Sequence, residues 1–317
     1  MADLFLPDGL LPVHRRFYPM GFPLDLHSNS NFVIMAANES WGSFHQQFER
    51  APVTLRVMVS EVEDSVPPAP PVYSDSRHLL MIVSDAQNFA VCDLREGFAS
   101  CRATPALIAQ SAFFRYCFLE AMGYSTLTAA HLAPIHAACV EWADTGLLLT
   151  GDSGAGKSTL AFACANAGFT YISDDGCYLL RGGDGRTLKG NPFVFRLREN
   201  ATTLFPELTG HPVTFRPNGK PTIELRTREF PNLRTKESTR VRYVLFLRRK
   251  EGESPSLHPF SKQEALDRWA QSNCYGHEEM RAGIHHELTR FTDAELYEFR
   301  YSNLEPAVDF LKELALS

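Results

Sequence analysis

Hydrophobic alternation is clearest over residues 53–61, where Val53, Leu55, Val57 and Val59 share one face, the period of a half-buried strand. A shorter apolar run over residues 32–37 reads as another strand. Further on, HLLMIVSD, NFAVCDL and FASCRAT predict three short strands separated by turn residues. A helical pattern then runs from Pro105 to about Met122, with Pro105 suited to a first turn and Gly123 to a C-terminus. Residues 1–125 are therefore expected to form an N-terminal α/β region dominated by an antiparallel sheet and serving substrate or partner recognition.

From His136 the pattern changes. AACVEW reads as a strand, residues 144–146 as a turn, and LLLT as a short apolar strand entering a glycine-rich loop. A helix follows from Lys157 to Ala167 and stops at Gly168, then the strand FTYIS ends at Asp174 and Asp175. GGDG at residues 182–185 suggests a hairpin, and a loop-rich stretch is expected to about residue 238. The strand VRYVLFLRR, helices over 262–272 and 278–288, the strand ELYEFRY and an amphipathic helix from Leu304 complete a domain assigned to residues 126–317.

Composition narrows the function classes. The chain has 317 residues, 44% of them hydrophobic, enough to fill a normal core, and a net charge of −6 that offers no bulk attraction to nucleic acid or to an anionic membrane. Nine cations between Arg226 and Lys250 are interrupted by Glu229 and Glu237 and read as solvated loop and strand ends. The seven cysteines never form a C-x-x-C pair, so neither a zinc ribbon nor a disulfide framework is indicated and a reducing cytoplasm is expected. In MADLFLPDGLLPVHRRFYPMG the arginines follow the apolar residues, the wrong order for a secretory signal. No stretch approaches the about 18 apolar residues of a membrane span. SVPPAPP, at residues 65–71, reads as an exposed polyproline-type loop. His285, His286 and Glu287 are adjacent on a predicted helix, point in different directions and are taken as surface residues.

The chemistry concentrates at Gly151, Asp152, Ser153, Gly154, Ala155, Gly156, Lys157 and Ser158, which satisfy the phosphate-loop pattern G-x-x-x-x-G-K-[ST] between a predicted strand and a predicted helix. Backbone N–H groups of such a loop cradle phosphates; Lys157 is expected to reach the β- and γ-phosphates of ATP and Ser158 to bind Mg²⁺, with Thr159 next to them. A carboxylate at Asp174 would hold the metal, and the adjacent Asp175 allows one acid to bind metal while the other accepts a proton from a hydroxyl.

The segment from His136 to Asp175 resembles the catalytic domain of HPr kinase/phosphorylase, a bacterial P-loop serine kinase whose fold is related to ATP-dependent phosphoenolpyruvate carboxykinase. Three features coincide: a histidine ahead of the loop, the GDSGxGKS loop, and the Asp-Asp pair after it. The resemblance implies a P-loop kinase domain of the α/β type, with His136 beside the transferring phosphoryl group, Lys157 and Ser158 on phosphates and metal, and Asp174 and Asp175 supplying the base. It also implies a homo-oligomer, often a hexamer. Thr159 stands where those enzymes carry Glu, and their LE-x-RG-x-G signature has no counterpart, so the likeness is to the broader set of HPr-kinase-related kinases.

The expected activity is thus ATP- and Mg²⁺-dependent phosphorylation of a hydroxyl, on a protein serine or a small molecule, with Arg196, Arg198 or Lys220 completing the charge stabilisation. A nucleotide-binding regulatory protein without transfer activity is the alternative. Carboxykinase-like chemistry on an oxoacid would need a second metal-binding set of Lys, His and Asp that the sequence does not offer.

Overall fold

The computed structural model describes residues 10–61, 68–215, 220–272 and 276–317. The start of the N-terminal segment, the first three residues of SVPPAPP and Cys274 lie outside the described residues. The chain is a mixed α/β protein divided into two compact units, one comprising Met1–His131 with Phe215–Lys220 and Tyr275–Met280, the other the remainder. Among the described residues no helix is long and apolar enough to cross a membrane.

In the first unit seven strands form one sheet: β1 (Val13–Phe17), β2 (Leu24–Ser28), β3 (Val53–Val59), β4 (Val72–Ser76), β5 (Leu79–Val83), β6 (Phe89–Asp93) and β7 (Phe98–Ala103), ordered β1-β2-β3-β7-β6-β5-β4. The joins β2–β3 and β3–β7 are parallel and the others antiparallel, so the sheet is mixed.

The strand expected over residues 32–37 is instead part of helix α1 (Asn31–Trp41). Ser30 caps it by accepting from the Phe32 N–H, and Val33, Ile34, Ala37 and Trp41 form its buried face while Phe32 and Met35 are exposed. The helix expected from Pro105 is broken into α2 (Pro105–Ala109), α3 (Ser111–Phe114), a π turn (Arg115–Leu119) and α4 (Glu120–Ala130). Gly123 lies inside α4 rather than at its end; a Cβ there would stand 2.8 Å from the Trp41 ring, so the glycine permits close helix packing.

The second unit is built on β8 (Leu132–Trp142), β9 (Thr145–Thr150), β10 (Thr170–Ser173), β11 (Gly176–Leu180), β12 (Thr187–Gly190), β13 (Val194–Arg198), β14 (Val213–Phe215), β15 (Pro221–Arg226), β16 (Arg234–Thr235), β17 (Ser238–Arg249), β18 (Ser256–Pro259) and β19 (Glu295–Tyr301). Nine of them form a sheet ordered β16-β10-β8-β11-β12-β17-β19-β18, with β9 between β8 and β17. Strands β13-β15-β14 form a separate small sheet within the stretch expected to be loop, where short strands alternate with 3-10 turns and no periodicity has room to develop.

Helices α5 (Lys157–Asn166) and α8 (Leu304–Leu316) cover one face of the large sheet, burying Leu160, Ala161 and Leu311 against Leu147, Leu149, Leu245 and Leu247. On the opposite face Phe246 stacks on Phe260 and on Trp269 of α6 (Lys262–Ser272), and Trp269 meets Phe291 of α7 (Glu278–Phe291). Burial on both faces explains the nearly continuous apolar run of β17. Each large side chain so buried contributes roughly 1.5–3 kcal/mol.

Two expectations about polar residues are refined. Six of the nine cations of the basic segment pair with carboxylates: Arg226 with Glu224, Lys236 with Glu141, Arg240 with Asp184, Arg242 with Glu295, Arg248 with Glu298 and Lys250 with Glu253. His285 and His286 are exposed, but Glu287 is 3% exposed and binds the Gly182 N–H and Arg290, so it is a structural anchor. The six described cysteines are buried and form no disulfide.

Candidate functional site

One strand, β8, gathers the three motifs. It forms an antiparallel hairpin with β9 in which Ala137 pairs with Thr150 and Trp142 with Thr145. The connection is the residue pair Ala143 and Asp144, both at positive φ (47° and 60°), as the tight two-residue hairpin requires. The turn therefore precedes the expected residues 144–146, and Gly146 belongs to the strand, where a Cβ would stand 2.7 Å from the Arg240 carbonyl oxygen. His136 is the next residue outward from Ala137 and Gly151 the next from Thr150, and both line one cavity. The sequence interval between the histidine and the loop is the arithmetic of this hairpin.

The other edge of β8 carries β10 and then β11. Their register slips by one residue between Tyr171 and Ser173, and the ladder resumes with Gly176 opposite His136. Asp174 and Asp175 fall in the interruption, with the Asp175 carbonyl accepting from the Ala137 N–H at 3.2 Å. Interruptions of this kind re-aim side chains, and the two aspartates have opposite fates.

Asp175 is 37% exposed in its side chain, and its Oδ1 lies 3.2 Å from His136 Nδ1; the histidine side chain is 50% exposed. Asp174 is 3% exposed; its Oδ2 accepts from the Arg196 N–H at 2.7 Å and its Oδ1 lies 3.0 Å from the Tyr171 hydroxyl. Burial, reinforced by the charge of Asp175, pushes the Asp174 carboxyl up to about 7 against the pull of Arg196 and Tyr171. Burial likewise raises the Tyr171 hydroxyl.

The glycine loop has positive φ at Gly151, Gly154 and Gly156 (145°, 96° and 94°). A Cβ at Gly154 would meet nothing within 4 Å, so conformation and not crowding calls for glycine there, whereas at Gly156 it would stand 3.0 Å from the Tyr301 hydroxyl. Lys157, 7% exposed, folds back so that Nζ donates to the carbonyl oxygens of Gly151 at 2.8 Å and Asp152 at 3.2 Å. Ser158 Oγ donates to the Asp174 carbonyl oxygen at 3.1 Å, which ties the helix start to the aspartate turn. Thr159 and Ala155 are half-buried beside it.

Of the cations expected to complete the site, Arg198 reaches the loop, its Nη2 donating to Ser153 Oγ at 3.1 Å. Arg196 turns its guanidinium to Glu224 at 3.3 Å and offers the site its backbone N–H. Lys220 belongs to the first unit. Tyr171 was not singled out by sequence pattern, nor were Arg268 and Gln271 of α6, which line a cavity beside the loop with His136 and Ser153. No motif marks them, because their position depends on strand order. Among the described residues no cluster of three or more His, Cys, Asp or Glu side chains is poised for a metal. The glycine cradle and Lys157 fit a triphosphate. Ser158, its proton given to the Asp174 carbonyl, keeps lone pairs for a cation.

No protein-family model matches the chain, and no curated protein matches it. Among solved structures it is similar to the HPr(Ser) kinase/phosphatase from Coxiella burnetii, with 11% identity over 58% of this chain and 93% of that one at a TM-score of 0.29.

Proposed function

We propose that the chain is an ATP- and Mg²⁺-dependent kinase that phosphorylates a hydroxyl, with a P-loop kinase domain in the second unit. The observation that carries this reading is the exposed His136–Asp175 pair, whose histidine lines one cavity with Gly151, Asp152 and Ser153 of the loop. A nucleotide-binding regulator has no need of a carboxylate and an imidazole there.

In this reading the backbone of residues 151–158 and Lys157 hold the phosphates, Lys157 exchanging its loop carbonyls for phosphate oxygens. Asp175, the exposed acid, takes the acceptor's proton, and His136 orients it through Nδ1. The acceptor oxygen then forms the new P–O bond as the bond from the γ-phosphorus to the ADP oxygen breaks. Ser158 and Asp174 are the groups that would hold Mg²⁺, which when bound neutralises charge on the phosphates. Arg198, which donates to Ser153 of the loop, is a cation available for transition-state charge.

The test is phosphate transfer from γ-labelled ATP with Mg²⁺ to a cell extract and a panel of hydroxyl compounds, comparing wild type with Lys157→Ala and Asp175→Asn. If wild type binds ATP yet transfers no better than the Lys157 variant to any acceptor, the regulatory reading replaces this one. Inorganic phosphate added to a labelled product tests phosphorolysis.

A further inference from the structure

A cavity of about 180 Å³ opens beside the glycine loop. It is lined from the sheet by Ile135, His136, Thr150 and Phe246, from the loop by residues 151–153, and from α6 by Arg268, Trp269 and Gln271. We infer that this cavity is the acceptor subsite and that it takes a small hydroxyl compound bearing a carboxylate, which Arg268 receives. The inference rests on the kinase reading for the word acceptor, and on the cavity itself for the ligand class.

The cavity adjoins the phosphate cradle: residues 151–153 belong to both, while none of residues 154–158 lines the cavity. Its lining includes His136, whose Nδ1 lies 3.2 Å from the proposed base Asp175. Its volume is below the roughly 300–1,000 Å³ of sites for drug-sized ligands, which suits a molecule of a few heavy atoms rather than a protein segment.

Arg268 is held in a way that suits a carboxylate. Its guanidinium carbon stands 5.1 Å from the Phe260 ring centre and 5.6 Å from that of Phe246, and these rings stack at 3.9 Å, so the cation rests on an aromatic shelf. Its ion pair is with Glu264 one turn earlier at 3.2 Å, through Nη2, and that carboxylate is 50% exposed. Such an exposed pair is weak and yields readily to a stronger partner. A guanidinium has five N–H donors in a planar fork, and one bond to Glu264 leaves the others for a two-point carboxylate contact. Trp269, 4% exposed, supplies an apolar wall, and the Gln271 amide adds a neutral donor and acceptor. The lining carries one carboxylate, Asp152, a partner for an ammonium on the acceptor. Hydroxyamino acids carry both charges.

The test uses the full chain with a non-hydrolysable ATP analogue and Mg²⁺. Calorimetric titration of L-serine and D-glycerate is compared with serinamide and glycerol, and transfer from labelled ATP is measured on the same panel. Wild type is expected to bind and phosphorylate an acid at least about tenfold better than its uncharged counterpart. Arg268→Ala should abolish that ratio and Arg268→Lys restore part of it. The inference is overturned if the acids bind no better than the uncharged compounds, or if Arg268→Ala weakens both equally. Carboxylate binding that depends on Arg268 without transfer would sink the kinase reading while leaving the cavity as a carboxylate site.

Discussion

The Tyr171 hydroxyl lies 3.0 Å from Asp174 Oδ1 and 2.7 Å from the Val194 carbonyl oxygen, so one hydroxyl proton faces two acceptors. A protonated Asp174 resolves the conflict: it donates to the tyrosine oxygen while Tyr171 donates to Val194. Burial and the charge of Asp175 push the Asp174 carboxyl from 3.8 to about 7, so the folded chain holds this proton more tightly than the unfolded one. The resulting stability is full below pH about 4 and is lost as pH rises through about 7, on the order of 4 kcal/mol in all. Asn at this position mimics the protonated acid. Urea denaturation without nucleotide or metal should find Asp174→Asn more stable than wild type at pH 8, with the gap closing by pH 5. A gap that widens toward low pH would contradict the protonated form.

Lys157 holds two loop carbonyls and is almost wholly buried. ATP with Mg²⁺ should raise the melting temperature of wild type by mass action. The Lys157→Ala variant should lose most of that rise and at least about tenfold in affinity, since a charge-assisted phosphate contact goes with it. Equal shifts in the two proteins would remove Lys157 from the phosphate site.

Gly154 and Gly182 form a matched pair, both at positive φ (96° and 70°) and both with open space where a Cβ would go. Replacing either with Ala should reduce stability by about 1–2 kcal/mol through the backbone alone. Only Gly154→Ala should also weaken ATP binding, because Gly182 belongs to the β11–β12 turn. Denaturation and nucleotide titration on the two variants separate the effects.

The site was legible wherever local rules set the geometry. The loop, its flanking strand and helix, and the interval to His136 follow from a tight hairpin feeding a glycine turn, and those leave marks in sequence. Residues 32–37 misled because a short apolar run has no period of its own; the exposed Phe32 and Met35 interrupt a buried face that only the longer window to Trp41 reveals. Gly123 looked like a helix end because its purpose, room for Trp41, lies on another helix. The different environments of Asp174 and Asp175 were equally invisible. They arise from the register slip beside β8 and from β13 arriving with Arg196, both long-range pairings.

That difference supports the proposed roles, and kinetics can check them. Asp175 is exposed beside His136, whereas each oxygen of Asp174 faces a protein group in the interior. A general base is worth about 10²–10⁴-fold in rate. Asp175→Asn should therefore lower kcat by that factor while ATP still binds. Replacing His136 with Gln should cost less, because the carboxylate survives and only its orientation is lost. Asp174→Asn keeps the base and removes a carboxyl group that, protonated in the metal-free chain, would have to give up its proton to hold Mg²⁺, so its defect should appear mainly as a higher Mg²⁺ requirement, partly overcome by raising the metal concentration. Turnover at saturating ATP across a Mg²⁺ series distinguishes the three variants. If Asp174→Asn abolishes turnover at every Mg²⁺ concentration while Asp175→Asn retains the wild-type rate, the buried acid is the base and the exposed pair is not catalytic.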